Sequence, residues 1–333
     1  MSDSPKLHAV KNHYQFANAA WDNNENVETP EWPKTLKGIS TQDRKALNEK
    51  RIAWIESHPP LITSQMKEVH DQLDDLLMVN RSGSQRCFEI MGEPHLGKTE
   101  ILMEYAYKYH CKNTTERPFE SHHDGDHYVQ MPVVWVHTAS TFKQTIVRLV
   151  KFCGGRVKDK DKADTLLTRF EEQVQDFGVK LIVLDDLHNL RGNGVATELK
   201  GLYEHLENTA LLFTRTYDDC AALDSNKGGD QTNHRTIPYE LNAPAASSRE
   251  WMKLLAQFER VMPWCNDGSP QLRPHAELIH HRTGGRTGDL TMLLQFITTN
   301  LIRTNTNGED LITEDLIHSI TLPTDHEQRR RAA

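Results

Sequence analysis

The sequence has no hydrophobic run that approaches the roughly 18 apolar residues needed to cross a membrane. Its first residues, 1–6, lack the apolar core of a signal peptide. The five cysteines are an odd number, and no two of them form a C-x-x-C pair. These absences argue against a membrane anchor, a disulfide framework and a cysteine zinc site, so we expect a cytoplasmic protein with reduced thiols.

An excess of positive charge is also missing. The formal net charge is −8, so any contact with a nucleic acid must come from a local basic patch. The chain has 333 residues, of which 37% are hydrophobic and 26% are charged. This composition is typical of a globular protein, and the length suits about two domains.

A glycine-rich segment between a predicted strand and a predicted helix is the most informative part of the chain. Residues 92–99 fit the pattern G-x-x-x-x-G-K-[ST]. Residues 87–91 before the segment predict a short strand, and residues 101–109 behind it predict a helix. Strand, loop and helix in this order indicate a P-loop, which binds the phosphates of a nucleotide.

Each part of the P-loop has an expected role. Gly92 and Gly97 let the backbone turn tightly and point its N–H groups at phosphate oxygens. Lys98 would reach the β- and γ-phosphates, and the Thr99 hydroxyl would hold Mg²⁺. The residues expected to bind ATP here are Gly92, Glu93, Pro94, His95, Leu96, Gly97, Lys98, Thr99 and Glu100.

A second motif pairs with the P-loop. The apolar residues 181–184 end in two carboxylates, Asp185 and Asp186. A strand that is apolar throughout suits a parallel sheet covered on both faces, and acids at its carboxyl end lie where such sheets bind ligands. We expect Asp185 to hold Mg²⁺ and Asp186 to orient or deprotonate the attacking water.

The following segments add a possible phosphate sensor. Residues 210–213 predict a strand, and either Thr214 or Thr216 at its end could contact the terminal phosphate, although both also suit a simple turn. We place Thr214 with Lys98 and Asp186 in the catalytic set. Arg286, in a glycine-rich joint between two predicted helices, could bind the nucleotide or be a surface arginine in a turn.

The DNA-binding candidates lie on one predicted helix. Lys143, Arg148 and Lys151 share one side of a helix over residues 138–153, and further basic residues follow it. Acidic residues interrupt this run, so a solvated charged face is as consistent as a phosphate-contacting surface. A histidine- and aspartate-rich segment, residues 122–127, is interpreted as a solvated loop rather than a metal site.

The predicted elements divide the chain into four parts. A last short strand, at residues 236–239, contains Pro238, which indicates the edge of the sheet. Helices then replace strands. We therefore expect the following division: a polar tail or docking arm at residues 1–45, an α/β nucleotide-binding domain at 46–242, a helical subdomain at 243–322 and a tail at 323–333.

This succession of strands, motifs and helices resembles an AAA+ ATPase. Three stretches narrow the resemblance to the TniB/TnsC family of transposition ATPases. They are the segment before the P-loop, which contains Arg51-Ile52-Ala53-Trp54-Ile55 and Pro60-Leu61-Ile62-Thr63, the helix at 249–263, and the joint at 282–294. The resemblance covers about residues 45–320, and it implies a three-layer fold with a parallel sheet and a C-terminal helical lid.

The resemblance also implies a function, that of an ATP-dependent, DNA-binding regulator of a transposase. Such proteins assemble as rings or helical filaments on double-stranded DNA when ATP is bound, mark the target site, and recruit a DDE transposase and a TniQ-type adaptor. Hydrolysis then controls disassembly. Assembly of this kind requires an arginine that completes a neighbouring subunit's site, and Arg191, Arg215 and Arg235 are open candidates.

The acidic pair departs from the family pattern, which is usually Asp-Glu. Aspartate is one methylene shorter than glutamate, so Asp186 reaches less far towards the water, and we predict slow hydrolysis. An Asp-Asp pair also suits a signalling NTPase of the STAND type, which switches without DNA but normally carries long sensor or effector domains. A small-molecule kinase is a third alternative, disfavoured because no acceptor site is recognisable.

Overall fold

The computed structural model describes residues 11–24, 28–80, 87–115, 130–190, 195–206, 208–217, 236–305 and 308–322. These residues form two compact units. The first unit takes its residues from Met1–Asn26, Gln65–Pro94 and Lys98–Leu241. The second takes its residues from Val27–Ser64, His95–Gly97 and Asn242–Ala333, so it includes the middle of the P-loop.

The first unit is built on a parallel sheet. Its described strands are β1 (Cys87–Met91), β2 (Val133–His137), β3 (Leu181–Asp185), β4 (Ala210–Arg215) and β5 (Thr236–Glu240). Their order across the sheet is β2-β3-β4-β1-β5, and every neighbouring pair is parallel. Every residue of β3 and β4 is buried, as expected for strands covered on both faces. The expected α/β fold class is confirmed.

The register of the sheet brings the predicted motifs to one edge. His137 is the partner of Asp185 across β2 and β3, and Thr214 is the partner of Ile90 across β4 and β1. Parallel strands present their carboxyl ends at the same edge, so these residues meet next to the loop that follows β1. Pro238 lies on β5, at the edge of the sheet, as predicted.

The described helices lie in both units. In chain order they are α1 (His13–Asn24), α2 (Thr41–Ser57), α3 (Ser64–Asn80), α4 (Lys98–Lys112), α5 (Phe142–Phe152), α6 (Ala163–Asp176), α7 (Val195–His205), α8 (Arg249–Val261), α9 (Ala276–Thr283), α10 (Thr287–Thr304) and α11 (Glu314–Ser319). Hydroxyl groups set several starts, since the side chains of Thr141 and Ser248 accept hydrogen bonds from the backbone three residues on. None of the described helices is long and apolar enough to span a membrane.

Helix α1 corrects the prediction of a polar tail or docking arm over residues 1–45. It packs against α4, and its residues Phe16, Ala17 and Ala20 are fully buried. The Phe16 ring lies 5.1 Å from the Tyr107 ring. These buried residues recur at helical spacing, and the polar composition of the surrounding segment conceals that stripe when it is averaged over 45 residues.

The second unit is helical and includes α2. Trp251, Phe258, Leu293 and Ile297 belong to its apolar core. On α2, the Trp54 indole nitrogen donates to the carbonyl of Val261 at 2.7 Å. Residues 46–64 therefore group with the helical part rather than with the α/β domain in which they were expected, whereas the last change of unit, after Leu241, lies one residue before the predicted boundary.

Candidate functional site

The loop between β1 and α4 has two residues in the left-handed backbone region. Gly97 has a φ of 91° and His95 a φ of 66°. Of the two glycines expected to permit the turn, only Gly97 therefore needs this freedom. Helix α4 begins at Lys98, so the loop ends at a helix N-terminus, whose free N–H groups and positive dipole favour an anion.

Lys98 is held within this loop. Its ammonium nitrogen donates to the carbonyl oxygens of Gly92 at 2.8 Å and Glu93 at 2.7 Å. The side chain is buried, and burial lowers its pKa, while the nearby carboxylates of Asp186 and Asp185 act in the opposite direction. The ammonium group is thus held by carbonyl oxygens of the loop itself.

Asp185 is the centre of the oxygen-rich part of the site. Its carboxylate is fully buried. One oxygen, Oδ1, accepts hydrogen bonds from the hydroxyls of Thr214 at 2.6 Å and Thr99 at 3.1 Å. Carboxylate and hydroxyl oxygens are ligands suited to Mg²⁺, so the residues present fit that ion.

Thr214 also positions the backbone of Asp186. Its hydroxyl accepts a hydrogen bond from the Asp186 N–H at 2.9 Å while donating to Asp185. Asp186 has a φ of 56°, and its carbonyl accepts a short hydrogen bond from the Thr138 hydroxyl. Its side chain is 39% exposed, unlike that of Asp185, so it is the acid that can meet a water molecule.

His137, at the end of β2, is a site residue that the sequence analysis missed. Its Nδ1 lies 3.2 Å from Oδ2 of Asp185 and 3.7 Å from Oδ2 of Asp186. Hydrogen bonds to Asp185 and then to Asp186 raise the pKa of His137 to about 9. The hydrogen bond from His137 in turn lowers the pKa of Asp186. The three residues offer ligand atoms within 4.8 Å of one another and could hold a metal ion.

A signal for His137 was present in the sequence. It directly follows the apolar residues 133–136, just as Asp185 follows residues 181–184. A polar residue at the end of a buried parallel strand is therefore a site candidate, whichever strand carries it.

Another acid lies in the first turn of α4. Burial, with a smaller contribution from the charge of Glu104, raises the pKa of Glu100 to about 7. Of the other predicted loop residues, Leu96 is buried, whereas Glu93 and Pro94 are exposed.

Arg215 does not fit the role of an arginine offered to a neighbouring subunit. It is buried and forms a short ion pair with Glu89 on β1. A guanidinium paired inside its own sheet is not presented to another chain. Arg191 and Arg235 lie outside the described residues, as does the predicted loop at residues 122–127.

The second unit places Arg286 beside a P-loop residue. Nε of Arg286 lies 2.7 Å from Oδ2 of Asp289, and Nδ1 of His95 lies 2.9 Å from Oδ1 of the same carboxylate. The backbone N–H of Gly288 donates to the His95 carbonyl at 2.8 Å. Arg286 is thus an interior, partly buried residue rather than a surface arginine.

The three DNA-binding candidates lie on α5 and are exposed. Arg148 differs from the two lysines because its Nη1 donates to the carbonyls of His137 at 2.7 Å and Thr138 at 3.1 Å. Arg148 therefore supports the strand end that carries His137, which leaves Lys143 and Lys151 as the better candidates for DNA.

Comparisons with known proteins agree with this architecture. Residues 51–207 match the family described as bacterial TniB protein. No curated protein matches the sequence significantly.

Two solved structures share the fold. The crystal structure of Cdc6p from Pyrobaculum aerophilum has a TM-score of 0.55 at 16% identity, over 74% of this chain and 64% of that one, so this chain spans less than two thirds of its length. The Aeropyrum pernix ORC1 protein, solved in complex with DNA, has a TM-score of 0.56 at 14% identity, over 83% of this chain and 68% of that one. Residues 51–207 are thus similar to the TniB family, and the chain shares its parallel-sheet fold with these two solved structures.

Proposed function

We propose that this protein is an ATP-dependent, DNA-binding regulator of transposition that hydrolyses ATP slowly. The observation that carries the proposal is the meeting of Thr99, Asp185 and Thr214 beside the P-loop. These residues lie far apart in the chain, yet their oxygens converge on one buried carboxylate. A convergence of this kind is typical of a phosphate and metal site.

The residues of the first unit have separate roles in binding ATP and Mg²⁺. Lys98 and the backbone N–H groups at the start of α4 bind the phosphates of ATP. Thr99 and Asp185 hold Mg²⁺, which supplies charge neutralisation at the phosphates when it is bound. Thr214 keeps the Asp185 carboxylate in place and fixes the backbone of Asp186.

Asp186 is the proposed general base, and two features should slow its abstraction of a proton from water. Aspartate has one methylene fewer than glutamate, so its carboxylate reaches less far. The hydrogen bond from His137 lowers its pKa, and a carboxylate with a lowered pKa accepts a proton less readily. Both features support slow turnover, which would give an ATP-bound assembly a long lifetime.

The family match and the fold support the proposed partners. The TniB match supports a role in transposition, and the ORC1 relative was solved in complex with DNA. We propose that the chain assembles on double-stranded DNA as a ring or helical filament and recruits a DDE transposase and a TniQ-type adaptor. Lys143 and Lys151 would contact the DNA phosphates, because both are exposed on α5.

Electron microscopy of the purified protein with duplex DNA tests the proposal. Rings or filaments on DNA are expected with ATP and with a non-hydrolysable analogue, and none with ADP. Lys98→Ala should abolish assembly because it removes the charge that binds the β- and γ-phosphates, whereas Lys112→Ala, at the exposed end of the same helix, should not.

Two outcomes would contradict the proposal. Assembly that persists in Lys98→Ala would remove the role of the P-loop. Tight ATP binding without any DNA binding would instead favour the STAND-type switch. Within the proposal, Lys143→Ala with Lys151→Ala should weaken DNA binding and make it less sensitive to salt.

A further inference from the structure

Three side chains that carry metal-binding atoms meet where β2 and β3 end. They are His137, Asp185 and Asp186, and one ligand atom from each lies within 4.8 Å of the other two. Nδ1 of His137 lies 3.2 Å from Oδ2 of Asp185 and 3.7 Å from Oδ2 of Asp186. In a tetrahedral site with bonds of about 2.0–2.2 Å, the ligand atoms lie about 3.3–3.6 Å apart. The two distances from the histidine are therefore close to those that a single tetrahedral ion requires.

The two oxygens of the Asp185 carboxylate have different surroundings. Oδ1 accepts hydrogen bonds from the hydroxyls of Thr99 and Thr214. Among the described residues, none donates a well-aligned hydrogen bond to Oδ2, although the side chain is fully buried. A buried carboxylate oxygen is costly unless a donor or a cation satisfies it. Oδ2 is therefore the oxygen at which a cation would be stabilised, on the side of the carboxylate that faces His137.

Neighbouring groups hold the backbone of the other two residues. Nη1 of Arg148 donates to the carbonyl of His137 at 2.7 Å. The N–H of Asp186 donates to the Thr214 hydroxyl at 2.9 Å, and its carbonyl accepts a short hydrogen bond from the Thr138 hydroxyl. Asp186 also has a φ of 56°, which a residue with a side chain keeps only where its surroundings maintain it. Contacts of this kind orient the ligands of metal sites.

The ligand atoms indicate which ion fits. One imidazole nitrogen and two carboxylate oxygens suit Zn²⁺, which binds nitrogen and oxygen atoms in a tetrahedral arrangement. Mg²⁺ instead prefers oxygen ligands in an octahedral arrangement. The side chains of His137 and Asp186 are 26% and 39% exposed, so an ion can enter from solvent.

We propose that His137, Asp185 and Asp186 form a binding site for Zn²⁺, separate from the position proposed for Mg²⁺. Nδ1 of His137 and the Oδ2 atoms of the two aspartates bind the ion, and a water molecule fills the fourth position. A proton on Nδ1 leaves to solvent when the ion binds. The site needs no nucleotide, because its protein ligands all come from two adjacent strands and the residue that follows β3.

A consequence for hydrolysis rests on the proposed function. Asp186 is the proposed general base, and an ion bound to its carboxylate prevents it from accepting a proton from water. Zn²⁺ should therefore reduce the hydrolysis of ATP without preventing ATP from binding at Lys98. The ion would prolong the ATP-bound state.

Calorimetric titration of the full chain, without an affinity tag and without nucleotide, measures the affinity for Zn²⁺. His122, His123 and His127 are replaced by asparagine in every sample, because these closely spaced histidines lie outside the described residues and could bind the ion themselves. One equivalent of Zn²⁺ should bind. An excess of Mg²⁺ should not displace it, because an imidazole nitrogen is a poor ligand for Mg²⁺.

Variants identify the ligands. His137→Asn removes the nitrogen ligand and should weaken Zn²⁺ binding by more than about 100-fold, whereas Thr138→Val, which removes only the hydrogen bond to the Asp186 carbonyl, should weaken it by about tenfold. His318→Asn, at an exposed position, is the matched control and should leave the affinity unchanged. Co²⁺ in the same site should show the strong visible absorption of a tetrahedral complex, and His137→Asn should abolish it.

Unchanged Zn²⁺ affinity in His137→Asn, or displacement of Zn²⁺ by equimolar Mg²⁺, would overturn the inference. If His137→Asn does not fold, Asp186→Asn removes another ligand at a half-exposed position and should show the same loss of affinity. Undiminished binding in that variant would equally overturn the inference. Failure of the proposed function gives a different result, since Zn²⁺ would then bind without nucleotide while no ATP hydrolysis is measured with or without the ion.

Discussion

Two fully buried carboxylates, Asp185 in the first unit and Asp310 in the second, are compensated in different ways. Asp310 forms a short ion pair with Arg51, and it accepts from the Cys265 N–H and from the Asn305 amide, each at 2.8 Å. Asp185 instead receives two threonine hydroxyls and lies beside His137.

The difference shows that the buried charge of Asp310 serves the structure, whereas the buried charge of Asp185 is available to bind a cation. The guanidinium of Arg51 is a permanent cation, so the charge of Asp310 is satisfied within the protein. Hydroxyl groups carry no charge, and the imidazolium of His137, unlike a guanidinium, can lose its proton, so an external cation can take the place of that proton beside Asp185. Asp289 has one partner of each kind, the permanent cation of Arg286 and the imidazole of His95.

The largest effect is expected from breaking the permanent pair. Arg51→Met leaves the Asp310 carboxylate buried without its cation, so the second unit should lose about 3–5 kcal/mol of stability. Urea unfolding followed by hydrogen exchange of α2 and α10 measures this loss. Arg303→Met, an exposed arginine on α10, is the control and should change stability little. A loss below about 1 kcal/mol would mean that Asp310 does not depend on its cation.

A smaller and pH-dependent effect is expected for the titratable partner of Asp185. The pKa of His137 is raised from 6.5 to about 9 in the folded protein, so its ion pairs stabilise the fold fully below pH 6.5 and are lost as the pH rises through 9. The difference in free energy of unfolding between the wild type and His137→Asn should therefore shrink by up to about 3 kcal/mol over this interval.

Unfolding curves from pH 6 to 10 measure this difference. The control is His318→Asn, at an exposed position of the second unit, and it should show no such trend. A difference that stays constant from pH 6 to 10 would show that His137 is not held as an imidazolium between the two acids.

The smallest effect concerns the charge that Asp185 keeps for a cation. Asp185→Asn preserves the shape and an acceptor oxygen but removes the negative charge. Nucleotide affinity should rise about tenfold with Mg²⁺ in the wild type and should no longer respond to Mg²⁺ in the variant. Titrations with and without EDTA measure this response, with Asp176→Asn, an exposed acid of the same unit, as the control. A variant that still responds to Mg²⁺ would place the cation elsewhere.

Much of the first unit could be predicted because its signals are local. The strand Leu181–Asp185 is apolar at every position before the acid, and the P-loop pattern occupies eight consecutive residues. The predicted helix boundaries were less accurate where a capping side chain sets the start of the helix. Helix α5 begins at Phe142 rather than at 138, because the Thr141 hydroxyl caps it.

The missed features depend on residues that are distant in the chain. Helix α1 was not predicted because its apolar stripe is short and its burial depends on α4. Arg215 remained a candidate for contact with another subunit because nothing near it in the sequence indicates Glu89, which lies 126 residues earlier.

By itself, the sequence determined where the strands, the P-loop and most of the helices occur and which acids end a buried strand, because hydrophobic periodicity and turn chemistry act over a few residues. Only the tertiary structure decided which side chains meet. Strand order brought His137 to Asp185, and the close approach of Gly288 to His95 brought Asp289 to the P-loop. Such contacts arise from the packing of distant segments. The charge and pKa of each group therefore depend on neighbours that cannot be identified from the nearby sequence.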